Sequence, residues 1–159
     1  MHSDDQSLLV RKSILIQAPL PHVFKMLTEH FDIWWPRSHH IGEGEVFSAT
    51  LEPGVGGRWY ERAADGKECD WGKVLVWEPP RRIVLSWDIS AEWRYDPNVQ
   101  NEVEIRLTEE ADGTRLELEH RKLERYGDKA ESMRDLFDSP GGWSGILASL
   151  AKAAEPADR

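Results

Sequence analysis

Thiol chemistry is almost absent from this chain, which has one cysteine, Cys69. That excludes an internal disulfide and a multi-thiolate zinc site, and it agrees with a reducing compartment. Cys69 stands between Glu68 and Asp70, so it lacks the electropositive surroundings that lower a thiol pKa and reads as an inert residue. Long apolar runs are missing too. None approaches the roughly 20 residues of a membrane span, and no membrane insertion is expected. The opening MHSDDQSLL is acidic and polar, unlike a secretory signal or a transit peptide, so the expected location is cytoplasmic. Positive charge is in the minority, with 20 Lys and Arg against 29 Asp and Glu and a formal charge of −9. That balance repels nucleic acid and anionic lipid, and neither is expected as a partner. No Gly-x-Ser-x-Gly, P-loop, dinucleotide fingerprint or metalloprotease helix is present. The run Gly54 to Gly57 is a turn rather than a phosphate cradle, because no helical pattern follows it.

What the chain does have is tryptophan: eight, against four Phe and three Tyr. Trp34, Trp35, Trp59, Trp71, Trp77, Trp87, Trp93 and Trp143 are spread over nearly every expected element. Each combines a large apolar body with one N–H that needs a partner. Such a set suits an aromatic-lined pocket, since ligand sites are mostly apolar with a few polar groups.

The length of 159 residues fits one domain with a real core. Residues 8–155 are expected to form it, with a flexible N-terminus at 1–7 and a tail at 156–159. Leu8 to Gln17 reads as a strand, and Leu20, Val23, Phe24 and Leu27 take helical spacing over about Pro21 to Thr28. Phe31 to Trp35 adds a turn or two, and Trp35 to Gly44 is a loop with two adjacent histidines. Alternation and turn residues then mark strands at Glu45–Leu51, Arg58–Ala63, Lys67–Trp77 and Arg82–Ile89. After a longer loop, a hairpin follows around Asp112-Gly113, with Val103, Ile105, Leu107, Leu116, Leu118 and His120 on its dry face. A short helix is expected near Met133 to Phe137. In the last segment, Pro140 to Glu155, the residues Trp143, Ile146, Leu147, Leu150, Ala151 and Ala154 form one helical stripe, with Ser139 as the expected N-cap and Pro156 as the stop. A curved antiparallel sheet of six or seven strands around that terminal helix accounts for this order, an α+β architecture.

Several segments resemble a known pattern. Gly56-Gly57-Arg58-Trp59-Tyr60-Glu61, Asp65-Gly66, the stretch Trp71 to Trp87, Asp112 to Leu116 and Gly142-Trp143 are similar to the START-like (SRPBCC) superfamily. The branch they resemble contains the C-terminal domain of the activator of the heat-shock protein 90 ATPase. The resemblance covers about Leu8 to Glu155 and implies a helix-grip fold: a curved sheet, two short helices and a long C-terminal helix over a cavity that takes apolar or amphipathic small molecules. The chain has no room for the extra N-terminal domain of the eukaryotic chaperone activators, which counts against a chaperone partner. The same fold hosts carriers, receptors, cyclases and hydrolases, so it does not fix the activity.

Among polar candidates, Glu61 shares the phase of Trp59. It either sits beside aromatic rings, where proton transfer or ligand anchoring becomes available, or is a solvated strand residue. His120 ends an apolar row and reads as a histidine satisfied by a backbone partner near the sheet edge, or as an acid–base group. Asp88, opposite in phase to Trp87, is expected to point outward. His39 and His40 flank the expected cavity mouth. Adjacent residues rarely both reach one ion, and no acidic third ligand has suitable spacing, so no metal and no cofactor is expected. The leading expectation is a domain binding a small apolar or amphipathic molecule among Trp34, Trp35, Trp59, Trp71, Trp87 and Trp143, oriented by Glu61, His120 or a loop histidine. The alternatives are a cyclase- or hydrolase-type enzyme using Glu61 with His39 or His120, and a chaperone-associated or stress-response interaction protein. A homodimer through an edge strand is compatible with the alternating charges.

Overall fold

The computed structural model describes residues 8–42 and 45–156, with backbone alone at 46 and 47. The segment 1–7, the end of the expected loop at 43–44 and residues 157–159 of the expected tail lie outside this description. The strands are β1 (Val10–Ile16), β2 (Val46–Leu51), β3 (Arg58–Ala63), β4 (Glu68–Glu78), β5 (Arg82–Trp87), β6 (Asn101–Glu110) and β7 (Gly113–Arg121). They form one curved sheet in the order β1-β7-β6-β5-β4-β3-β2, and every neighbouring pair is antiparallel. The helices are α1 (Leu20–Thr28), α2 (Phe31–Trp34), α3 (Ala130–Asp138) and α4 (Gly145–Ala154). This is the α+β helix-grip fold.

Alternation decides which face each strand residue takes. In the β6–β7 hairpin Val103 lies opposite His120, Ile105 opposite Leu118 and Leu107 opposite Leu116, and all six are buried. The intervening residues carry charge on the other face. There Glu104 lies opposite Glu119, an unfavourable pairing by itself, but Glu104 is also bound by Arg82 and Arg121 and faces Arg106 at 2.7 Å. Burial alone would raise the Glu104 pKa; the hydrogen bonds from Arg82 and Arg121 outweigh it and hold the carboxyl below its usual range.

On the concave face α4 packs against α1, α2 and β1. Ile146, Leu147, Leu150, Ala151 and Ala154 are buried as the stripe requires. Each Leu or Ile so buried contributes about 1.5–3 kcal/mol. The start of this helix differs from the sequence reading. Pro140–Ser144 is a wide turn broken at Gly142 (ψ −133°), and regular α-helix begins only at Gly145. Ser139 does not cap α4: its hydroxyl donates to Leu136 O at 2.6 Å and closes the end of α3 instead. Trp143 therefore sits on the turn, where its ring meets Trp35, Trp87 and His120 edge to face.

Candidate functional site

The turn before α4, the loop after α2 and the ends of β4 and β5 do not meet. Between them lies a cavity of about 360 Å³. Trp71, Trp87 and Ile89 wall it from the sheet side, Trp35 and Ser38 to Ile41 from the loop, and Leu136, Phe137, Gly141 to Trp143 and Ile146 from the C-terminal segment, with Trp93 at the rim. The volume falls within the range of small-molecule sites.

A β-bulge builds the sheet wall. Trp59 pairs with Gly72 and Tyr60 with Asp70, so Trp71 is the extra residue of β4. The bulge brings the Trp59 and Trp71 rings edge to face at 5.4 Å. Only glycine fits at 72, because a Cβ there would stand 1.9 Å from Ser86 O and 2.6 Å from Trp59 Nε1. That close approach lets the Trp59 N–H donate to Ser86 O at 2.8 Å.

Glu61 faces inward with Trp59 and is 2% exposed. Its Oε1 accepts from Trp71 Nε1 at 2.8 Å and from the Ile41 amide at 2.7 Å, and its Oε2 accepts from the Gly42 amide at 2.9 Å. A Cβ at residue 42 would lie 2.8 Å from that Oε2, so glycine allows the loop to close on the carboxylate. Glu61 thus pins the loop from behind the wall rather than lining the cavity.

His120 is fully buried and held by side chains, not by the backbone partner expected. Trp143 Nε1 donates to its Nδ1 at 3.0 Å, so its Nε2 carries the proton and donates to Asn101 Oδ1 at 2.5 Å. Its ring stacks on Phe137 at 4.4 Å. Burial depresses its pKa to about 3, which keeps it neutral. The adjacent Tyr126 hydroxyl donates to Ile89 O at 2.6 Å, and burial pushes its pKa up to about 12.

The loop histidines differ from each other. His39 Nε2 donates to Gly141 O at 2.7 Å and its Nδ1 faces the Ser38 hydroxyl at 3.0 Å, so this ring straps the loop to the turn before α4. His40 Nδ1 meets Gly42 O at 3.0 Å and lies 4.0 Å from Glu61 Oε2.

Of the expected ligand contacts, Trp35, Trp71, Trp87 and Trp143 line the cavity together with His39. Trp34, Trp59, Glu61 and His120 stand in the layer behind it. His40, one of the two loop histidines expected at the cavity mouth, lines the cavity as well, whereas the sequence reading did not assign Trp93, Leu136 and Phe137 to ligand contact. Their signal was present only as aromatic and apolar residues in loops and at the end of a charged helix. Asp88 takes the face opposite Trp87, as its phase required, but is buried (1% exposed) and not outward. It is held by the Ser86 hydroxyl at 3.2 Å, and its backbone carbonyl accepts from Asp96 N. Burial raises its pKa.

No helix among the described residues is long and apolar enough to cross a membrane. A search of curated protein sequences finds no match. Among solved structures, the anthrahydroquino-gamma-pyrone synthase Txn09 shares 38% identity over 91% of this chain and 95% of its own, with a TM-score of 0.64. CalU16 from Micromonospora echinospora is 25% identical over 94% of this chain and 75% of its own (TM-score 0.55). Protein NE0264 from Nitrosomonas europaea, 18% identical over 93% and 94% (TM-score 0.66), shares the fold. Residues 17–155 match the profile described as Activator of Hsp90 ATPase homolog 1-like protein. With the helix-grip topology, the strand motifs and this match in agreement, the chain belongs to the Activator of Hsp90 ATPase homolog 1-like family, a branch of the START-like superfamily.

Proposed function

We propose that the protein binds a small, flat, largely apolar molecule in the cavity between the sheet and the start of α4, in a reducing, cytoplasmic setting. One observation carries this reading: four indoles, those of Trp35, Trp71, Trp87 and Trp143, surround space of about 360 Å³ that no side chain fills. Aromatic faces favour flat aromatic partners, and an indole wall gives them area without ordering flexible side chains. The name of the 38%-identical structure, an anthrahydroquino-gamma-pyrone synthase, supports fused-ring chemistry for the ligand. An interaction role draws less support. Of the five large apolar side chains exposed among the described residues, Trp93 and Leu136 belong to the cavity rim, Tyr95 lies in the groove that shares Trp93 and Ile41 with it, and Ile33 and Val55 line neither.

A second reading, an enzyme of the cyclase type, is favoured by the 4.0 Å approach of His40 to Glu61. The imidazole in reach of the carboxylate is His40, not His39 or His120.

The test is a thermal-shift and tryptophan-fluorescence screen with flat tricyclic aromatics. A compound at about 100 times its Kd adds about 2.7 kcal/mol, a rise of several degrees for a domain of this size. Ile146→Trp, which places a ring in the open space, should abolish both signals while the protein stays folded. Binding that persists undiminished in a folded Ile146→Trp protein places the ligand elsewhere.

A further inference from the structure

Three imidazoles stand in or behind the cavity wall, and their hydrogen bonds leave one nitrogen open. His39 uses both nitrogens, on Gly141 O and Ser38 Oγ. His120 also uses both, on Asn101 and Trp143. His40 uses one. A carbonyl oxygen only accepts, so the 3.0 Å contact with Gly42 O requires the proton on Nδ1. The lone pair of the neutral ring is then on Nε2, which has no partner among the described residues. His40 lines the cavity, and 31% of its side chain is exposed. Its tautomer is fixed by a chain of contacts: Glu61 grips the Ile41 and Gly42 amides, the gripped turn sets the Gly42 carbonyl, and that carbonyl holds the His40 Nδ1–H.

We infer that the ligand of this cavity carries an acidic hydroxyl, a phenol or enol on a flat ring system, and that His40 Nε2 receives its proton. This rests on the cavity-binding reading above and adds the chemical group recognised. In the step the ligand O–H bond breaks and an Nε2–H bond forms. The ring becomes an imidazolium and the ligand a phenolate or enolate, with no change in total charge. The imidazolium keeps its Nδ1–H on Gly42 O and lies 4.0 Å from the Glu61 carboxylate, while its new Nε2–H faces the anion it produced. His40 is the group in contact with the ligand. Glu61 is a positioning residue, acting through the loop it holds and through its charge on the Nδ1 side.

The test uses two probes with the same three rings. Alizarin, 1,2-dihydroxyanthraquinone, changes its visible absorption on ionising; 1,2-dimethoxyanthraquinone has no hydroxyl to lose. The native protein should bind both, with alizarin about ten-fold tighter, and bound alizarin should show the anion spectrum about one pH unit below the free dye. His40→Phe should bring the two affinities together and return the ionisation to that of the free dye, and His40→Gln serves if the Phe variant does not fold. Glu61→Gln should move the alizarin ionisation towards the free value while dimethoxyanthraquinone still binds, a split that loss of structure alone does not give. Equal affinities with an unshifted spectrum, or a shift that survives in His40→Phe, overturns the inference and leaves the cavity reading standing. Binding of neither dye overturns both.

Discussion

The two ends of the concave face solve the same problem in opposite ways. At the closed end, Ile16, Leu20, Val23, Leu27, Leu116 and Leu150 leave almost no surface exposed. At the other end the wall is made of indoles, and a void remains. Aliphatic side chains have only packing to satisfy, so they interdigitate until space is gone. Three of the four cavity indoles are also held by their N–H groups, Trp35 on His39 O, Trp71 on Glu61 and Trp143 on His120, while the buried N–H of Trp87 has no partner among the described residues. A ring tethered at one edge cannot swing inward to fill a hole. The void is therefore kept open by hydrogen bonds made behind it.

That contrast can be broken from the polar side with the largest effect. Glu61→Ala removes the acceptor of two loop amides and the Trp71 indole. With each orphaned buried donor costing about 1–3 kcal/mol, a loss of about 4 kcal/mol is expected in denaturant unfolding. Amide exchange should quicken at Ile41 and Gly42. Leu150→Ala, at the closed end, should cost about 3 kcal/mol through the cavity it leaves. It should not change ligand affinity in the folded protein, because the two ends are filled independently.

The His120 layer gives a smaller, pH-dependent effect. Its pKa is about 3 in the fold against 6.5 unfolded, so between these values the unfolded chain binds the extra proton. Its contribution is full above pH 6.5 and declines as pH falls towards 3. From pH 6.5 to pH 5 the loss is about 2 kcal/mol. Asp88 and Glu104 also titrate with the fold, in opposite senses, so the His120 share is read as the difference in pH slope between the native protein and a folded His120→Gln variant. Equal slopes would remove His120 from the account. The smallest effect is expected at the rim, where Leu136→Ser should leave stability within about 0.5 kcal/mol and weaken binding of a flat aromatic probe. A larger stability loss would mean that the rim is part of the core.

The closed end was legible in the sequence because it is periodic. The stripe Ile146 to Ala154 and the alternation at 103–107 and 116–120 name their own buried faces. Glu61 was legible to the extent of parity with Trp59, while two of its partners came from a loop about 20 residues away in sequence and the third from the bulged residue of β4. The open end depends on contacts without periodicity. Ser139 has the composition of an N-cap, but Trp143 reaches His120 from a wide turn, and that turn displaces the helix start by several residues. The β4 bulge decides that Trp71 lines the cavity while Trp59 stands behind it, and an extra residue in one strand leaves no mark on composition. Asp88 took the face opposite Trp87, but alternation gave no sign of its burial there, where the Ser86 hydroxyl binds its carboxyl and Asp96 N binds its backbone carbonyl.

The grip of Glu61 on the loop has a consequence for variation. It holds main-chain amides of Ile41 and Gly42, and every amino acid but proline supplies such an amide. Only position 42 is restricted, by the space its Cβ would need. The side chains of His40 and Ile41 are thus free to be exchanged without releasing the carboxylate's grip, while His39 and Ser38 are kept for the strap to Gly141 O. A library confined to positions 40 and 41, proline left out, would alter what the pocket accepts while the scaffold that presents them stays constant.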